Sequence, residues 1–354
     1  MTRGFQPAND SVRNVLHLTN RMVRRLRVIT HLSVLIVATA INVVGWQANA
    51  IAQTSLPRVG VLTIVSETKE PVADWMKISR RSLAQQGWID GKTVTLVMRD
   101  AQGDPSKFRA AAEELVNQKV DVIYATGAPA IRAAYELTKS IPIIGSDYTN
   151  DPVAIGYAKS YGRPGGNVTG VFLDAPQFAA KWLEMMREIV PDLKRVAALW
   201  DPSPGDNHVR ALTSIAKSMG LQLQVVQVHK PEDIDRAGDA FTIRPQAVVI
   251  LPSAMLYVEN ARLVSLATRL RLPFTSIFPR FAEAGGLLGY GPNDSWTTER
   301  MAIMVGKVLR GTKPGDLPIE RPLTFDLVVN LKTAKELNIK LPESILVRAE
   351  RVIR

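Results

Sequence analysis

The sequence predicts an α/β protein of two lobes, each a parallel β-sheet flanked by helices, with several hinge crossings between them. Short apolar runs rich in Val, Ile and Leu alternate with helix-length amphipathic segments, as parallel strands joined by helical crossovers require. The alternation halts at Arg163-Pro164-Gly165-Gly166-Asn167, where the glycines permit backbone angles closed to other residues, and then begins again. The 354 residues suffice to bury two cores.

Taken in order, the chain opens on four arginines within residues 21–27, an apolar run over 32–44 and the small-x-small sites Ala48-Asn49-Ala50 and Ala50-Ile51-Ala52. That order describes a cleaved secretory signal over residues 1–52, with translation starting at Met22. The thirteen residues of that run fall short of the roughly 20 that a membrane-spanning helix needs. The absence of cysteine excludes disulfides and a lipid-modified cysteine anchor, so the exported product is expected to be soluble, and we expect a monomer.

Strands are expected at 59–65, 93–98, 120–124 and 141–144. Gly87 closes the first helix, and Asp104-Pro105 caps a helix with Phe108, Ala111, Ala112, Leu115 and Val116 on one face. Asp151-Pro152 reads as the start of a short helix. The second lobe continues with helix 177–190, strand 195–200, a helix to Met219, strand 221–228, helix 231–241, strand 247–251, helix 256–270 and strand 273–278. A second crossing is placed at 287–290. Asp294 then caps a helix carrying Met301, Met304, Val305, Val308 and Leu309 back to the first lobe, and a third crossing at 319–327 precedes a closing helix at 331–337. The first lobe is thus 53–168 with 288–318, and the second is 169–287 with 319–354.

The net charge of +11 invites a nucleic-acid reading, but residues 1–52 hold six arginines and one acid, leaving +6 on the rest, scattered among acids. No arginine-rich arm or basic-aromatic alternation remains, so no nucleic-acid partner is expected. Gly87 to Thr93 has the wrong spacing and the wrong strand–helix order for a phosphate loop. Gly289-Tyr290-Gly291 lacks the third glycine of a dinucleotide fingerprint. Beyond residue 52 only His208 and His229 are left, and no nucleophile elbow or metal-binding histidine pair occurs, so neither catalysis, metal nor cofactor is expected. His208 reads as a helix-start residue, and Asn167-Val168-Thr169 matches a glycosylation sequon at the hinge.

The remaining signal is a set of loops at the carboxyl ends of strands, where open α/β sheets place ligands. They carry Ser66, Thr126, Gly127, Ala128, Asp147, Tyr148, Asp151, Asp201, Ser253, Phe278 and Tyr290. Each is also an ordinary turn residue, but together they would surround one cleft suited to a small zwitterion. The helix amides at 126–128 would hold a carboxylate, Asp151 or, second, Asp201 an ammonium, and Tyr148, Phe278 and Tyr290 an apolar side chain. An amino acid, aromatic or branched, meets those demands.

Three stretches carry a resemblance: NDPVAIGYAKSYGRPGGNVTGV, RVAALWDP, and GGLLGYGPNDSWTTERMAIMVGKVLRGTKPGDLPIERPLTFDLVVNLKTAKELNI. The chain resembles the ABC transporter substrate-binding proteins often labelled tryptophan/tyrosine transport system proteins, from about Arg58 to its end. The resemblance implies a periplasmic-binding-protein fold, a periplasmic location, and an ABC permease and ATPase as partners. The sequence departs from the family where ATGAP replaces a frequent ATGG and where Asp201-Pro202 replaces a frequent Asn-Pro. Two rival readings stand beside it: a ligand sensor of the same fold for a receptor kinase, and a secreted α/β enzyme.

Overall fold

A computed structural model describes residues 55–173 and 176–354 of the chain. The expected signal peptide and its start at Met22 lie outside the described residues. Among those residues no helix is long and apolar enough to cross a membrane.

The first sheet holds β1 (Arg58–Thr63), β2 (Thr95–Asp100), β3 (Val122–Thr126), β4 (Ile143–Asp147) and β5 (Val168–Phe172), all parallel, in the order β2-β1-β3-β4-β5. Helices α1 (Val72–Ala84), α2 (Phe108–Asn117) and α3 (Ala128–Leu137) cover it. The face expected for α2 is buried at Phe108, Ala111, Ala112 and Leu115, and Asp104 Oδ1 caps the turn before it by accepting from Ser106 N at 2.9 Å.

The second sheet holds β6 (Arg195–Trp200), β7 (Gln222–Gln227), β8 (Ala247–Ile250), β9 (Phe274–Ser276), β10 (Leu288–Pro292), β11 (Phe325–Asn330) and β12 (Arg351–Ile353). Its order is β12-β11-β10-β9-β8-β6-β7, parallel except where β10 meets β11. Helices α4 (Pro176–Ile189), α5 (Asn207–Ser218), α6 (Pro231–Arg236), α7 (Ala254–Val258), α8 (Asn260–Leu270), α9 (Arg280–Glu283), α10 (Asp294–Leu309), α11 (Leu331–Glu336) and α12 (Glu343–Arg348) complete the chain. The apolar runs are continuous because both faces are covered: Val196 and Ala198 of β6 enter one core, while Ala197 and Leu199 enter the other.

The chain passes between the sheets three times, at places that differ from the expected ones. β5 still pairs with β4, so the first passage follows Phe172 rather than Val168. Here Gly170 has φ +143°, and a Cβ on it would lie 1.9 Å from Gly145 O, so the close approach of these two strands needs glycine. β10 belongs to the second sheet, which moves the second passage to Asn293, after which α10 buries Met301, Met304, Val305 and Val308 in the first core. Ile319 also joins the first core, and Glu320 bridges Val171, so the third passage begins after residue 320.

Four further differences have local causes. No helix forms at Asp151: Gly156 turns to φ +79°, and Tyr157 N and Ala158 N both donate to Pro152 O. The helix expected over 256–270 is two, because Ser253 caps an earlier start and Glu259 breaks the run with ψ +28°. The segment expected as one helix over 231–241 tightens to a 3₁₀ turn from Ala237. α12 and β12 have no sequence forecast, since six and three residues give too short a periodic signal.

Candidate functional site

The carboxyl ends of both sheets converge on a cavity of about 110 Å³. From the first sheet come Ile64, Thr126, Gly127, Ala128, Ser146, Asp147, Tyr148 and Thr149, with Val72 and Trp75 of α1, Tyr124 of β3 and, from α10, Asp294, Thr297, Thr298 and Met301. The second lobe supplies Pro204, Pro252, Ser253, Ala254, Tyr257 and Phe278. Seven of the eleven expected residues therefore line one cavity: Thr126, Gly127, Ala128, Asp147, Tyr148, Ser253 and Phe278.

Ser66, Asp151, Asp201 and Tyr290 do not line it. Ser66 closes a local turn with Thr68, whose amide donates to Ser66 Oγ at 3.4 Å. Asp151 Oδ1 accepts from the amides of Val153 at 2.7 Å and Ala154 at 3.2 Å, an Asx turn that holds the carboxylate to its own segment. Asp201 is buried and accepts from Ser203 N at 2.8 Å, Ser203 Oγ at 2.8 Å and Ser253 Oγ at 2.5 Å. Tyr290 packs into the second core against Phe178, their ring centroids 5.6 Å apart. Neither aspartate expected to meet an ammonium faces the cavity.

Asp201 is a structural group, and its variants should separate that role from ligand contact. Asp201→Ala is expected to cost roughly 2–3 kcal/mol of stability, since one buried donor, Ser253 Oγ, and two part-buried ones on Ser203 lose their acceptor. Asp201→Asn should cost less than about 1 kcal/mol, because an amide still accepts from Ser203 N and can donate to a serine oxygen. Urea unfolding measures both, and intact stability in Asp201→Ala would discard this role.

Aromatic rings form the apolar part of the cavity. Trp75 and Tyr124 stand 5.6 Å apart and tilted by 55°, while Tyr257 and Phe278 stand 4.5 Å apart and tilted by 57°. The Tyr124 hydroxyl lies 3.3 Å from Ser79 Oγ, and the Tyr148 hydroxyl donates to Thr297 Oγ1 at 2.8 Å. Burial holds the phenols of Tyr124, Tyr148 and Tyr257 above their ordinary range, so all three stay neutral hydrogen-bonding groups.

The polar part has two ends. Gly127, at φ +89°, precedes α3 and lets Ala128 begin the helix at the cavity wall. Gly127 N itself donates to Ser146 O at 2.8 Å, so of the expected amides that of Ala128, a lining residue first in α3, is the one with no intrahelical acceptor to occupy it. At the other end, Asn293 rather than Asp294 caps α10, accepting from Trp296 N at 2.7 Å. That one-residue shift turns Asp294 to the cavity, where Tyr257 OH donates to its Oδ2 at 2.8 Å. Burial pushes the Asp294 carboxyl up to about 6, against the favourable effects of Tyr257 and Arg280. Asp147, the other lining carboxylate, is raised by burial but bonded to Thr149 N at 2.7 Å, to Thr149 Oγ1 and to Asn150 Nδ2 at 2.9 Å.

Contacts between the lobes border this cavity. His208 Nε2 lies 2.9 Å from Tyr148 O, Asn207 Nδ2 donates to Asn150 Oδ1 at 3.1 Å, and Arg280 Nη2 pairs with Glu70 at 3.0 Å and Asp74 at 2.9 Å. Asn167, of the sequon, is buried and donates to Thr138 O and Ile141 O, which leaves no room for a glycan. Among the described residues no group of three or more His, Cys, Asp or Glu side chains is placed to hold a metal.

Residues 58–353 match the family model of ABC transporter substrate binding protein. The chain belongs to that family. It is a binding protein and not an enzyme. A curated relative, the tyrosine-binding protein of Clostridioides difficile (strain R20291), is 26% identical over 265 residues, 73% of this chain and 75% of the relative. Among solved structures, the ABC domain from Streptococcus pneumonia in complex with L-Trp is similar at TM-score 0.74 and 28% identity, covering 84% of this chain and all of that one. A conserved domain protein from Vibrio cholerae shares the fold at TM-score 0.74 and 24% identity, over 84% of this chain and 100% of that chain.

Fourteen lining residues had escaped the sequence, and three of them show why. Trp75 and Met301 sit on helices, which a search of strand ends does not visit. Asp294 was legible as a cap only, because Asn293 and Asp294 are equally good caps by residue type.

Proposed function

We propose that this chain is the exported, periplasmic component of an ABC importer, and that its cavity takes an α-amino acid with an aromatic side chain for delivery to a permease and ATPase. The observation that carries this reading is the chemistry of the cavity: five aromatic rings, from Trp75, Tyr124, Tyr148, Tyr257 and Phe278, with a helix amide at Ala128 and a carboxylate at Asp294. The rings offer apolar faces with neutral hydroxyl edges, which suit an aromatic side chain. The positive end of α3 suits a carboxylate. The names of the curated relative and of the L-Trp complex support the same class.

Thermal melting against L-tryptophan, L-tyrosine, L-phenylalanine, branched amino acids, nucleosides and aromatic acids tests the proposal. An aromatic amino acid at about a hundred times its Kd should add about 2.7 kcal/mol to stability and raise the Tm visibly. Small-angle scattering on that ligand should show a smaller radius of gyration, the three passages acting as the hinge. A panel in which no aromatic amino acid shifts the Tm would overturn the ligand class, and an unchanged radius at saturation would overturn the clamp.

A further inference from the structure

We propose that Asp294, steered by Tyr257, is the residue that reads the ligand's ammonium group, so that this protein requires a cationic amine on its ligand. The proposal rests on the amino-acid reading above and adds a specificity-determining residue to it.

The argument is one of elimination among charges. No Lys, Arg or His lines the cavity, and its carboxylates are Asp147 and Asp294. Asp147 already accepts from an amide, a hydroxyl and a side-chain amide, all from Thr149 and Asn150. Asp294 receives one hydrogen bond, from Tyr257 to Oδ2, and its Oδ1 is given no donor among the described residues. An ionised carboxyl accepts at about four lone-pair positions, so Asp294 retains capacity for an ammonium.

The charged surroundings point the same way. Arg280 of α9, the cation nearest in effect, is bonded outside the cavity to Glu70 and Asp74. Asp326 of β11 repels, and it is bonded by Asn293 Nδ2 at 2.7 Å. Tyr148 and Tyr257, from the segment after β4 and from α7, are neutral. Asp294 also borders an adjoining open pocket lined by Lys77, Arg280, Arg351, Asp74, Glu283, Asp326 and Glu350, yet none of the three cations forms an ion pair with it. A half-buried carboxylate with a hydroxyl donor, a nearby acid and no ion pair is an incomplete site, and a ligand ammonium completes it.

Linkage gives the pH signature. In the empty protein Asp294 takes up a proton below about 6. An ammonium favours the ionised form, so binding below that pH must displace a proton, and affinity should fall by roughly tenfold per pH unit there. Above it, affinity should be flat until the ligand amine itself deprotonates.

Calorimetry on the aromatic amino acid that binds best, and on its analogue lacking the amine, supplies the test. In the unaltered protein the amino acid should weaken as pH falls below about 6, while the analogue should not follow that profile. Asp294→Asn should lose roughly ten- to a hundredfold in affinity for the amino acid, lose its pH step, and keep its affinity for the analogue. Tyr257→Phe should lose less and shift the step. A pH-independent affinity in the unaltered protein, or equal affinity in Asp294→Asn, would overturn the assignment. Failure of every aromatic amino acid to bind the unaltered protein would instead overturn the ligand class.

Discussion

Trp182→Ala is expected to lower the stability of the protein by about 3–5 kcal/mol, the range for removing a large ring from a close-packed interior. Trp182 lies on α4 with no exposed surface, its ring centroid 6.2 Å from both Phe178 and His208. Its Nε1 donates to Tyr290 O at 3.2 Å, which ties α4 to β10. Truncation would open a void between the helix and the sheet and break that tie at once. Trp182→Phe should recover much of the loss, since most of the volume returns without the donor. Urea unfolding with an unchanged m-value measures it, and a loss under about 1 kcal/mol would show that the second core is not packed around this ring.

The same ring shows what the sequence makes legible. Trp182 falls within an amphipathic run, so its burial follows from the 3.6-residue period, as does that of Phe108 and Met301. The sheets were legible too, because strands covered on both faces read as continuous apolar runs, Val122 to Thr126 being one. What the period does not contain is where a strand ends up pairing. Val168–Phe172 looks alike as the last strand of one sheet or the first of another, and only its register with β4, fixed by the contact of Gly170 with Gly145, decides.

The site was legible where backbone chemistry set it and hidden where a side chain had a choice. Thr126, Gly127 and Ala128 face the cavity because a strand end followed by a helix start leaves them nowhere else. Asp151 and Asp201 each had two uses, ligand contact or local capping, and in both the nearby amides took the carboxylate. Asp294 had the same choice and lost it to Asn293, one residue earlier. A short polar side chain at a strand or helix end is thus ambiguous until its nearest donors are known.

His208 and Asp294 should give the protein two opposed responses to acid. His208 is buried with its Nδ1 unpaired, and burial lowers it from 6.5 to about 4. Between those values the unfolded chain binds a proton that the folded one does not, so stability falls as pH drops from 6.5 toward 4, by about 3 kcal/mol in full. Asp294 is raised from 3.8 to about 6, so there the folded protein binds the extra proton and stability rises as pH drops from 6 toward 3.8. Its contribution is at most about 3 kcal/mol, since Asp294 is only half-buried and solvent screens it. Between pH 4 and 6 the two slopes oppose, and the variants should uncover them. Relative to the unaltered protein, His208→Gln should become less destabilising as pH falls through 6, whereas Asp294→Asn, more stable than the parent at pH 7, should lose that advantage over the same range. Urea unfolding at pH 4.5, 5.5, 6.5 and 7.5 would read both differences. A His208→Gln difference that stays constant with pH would mean that the imidazole titrates as it does in the unfolded chain, and that its bond to Tyr148 O leaves it open to water.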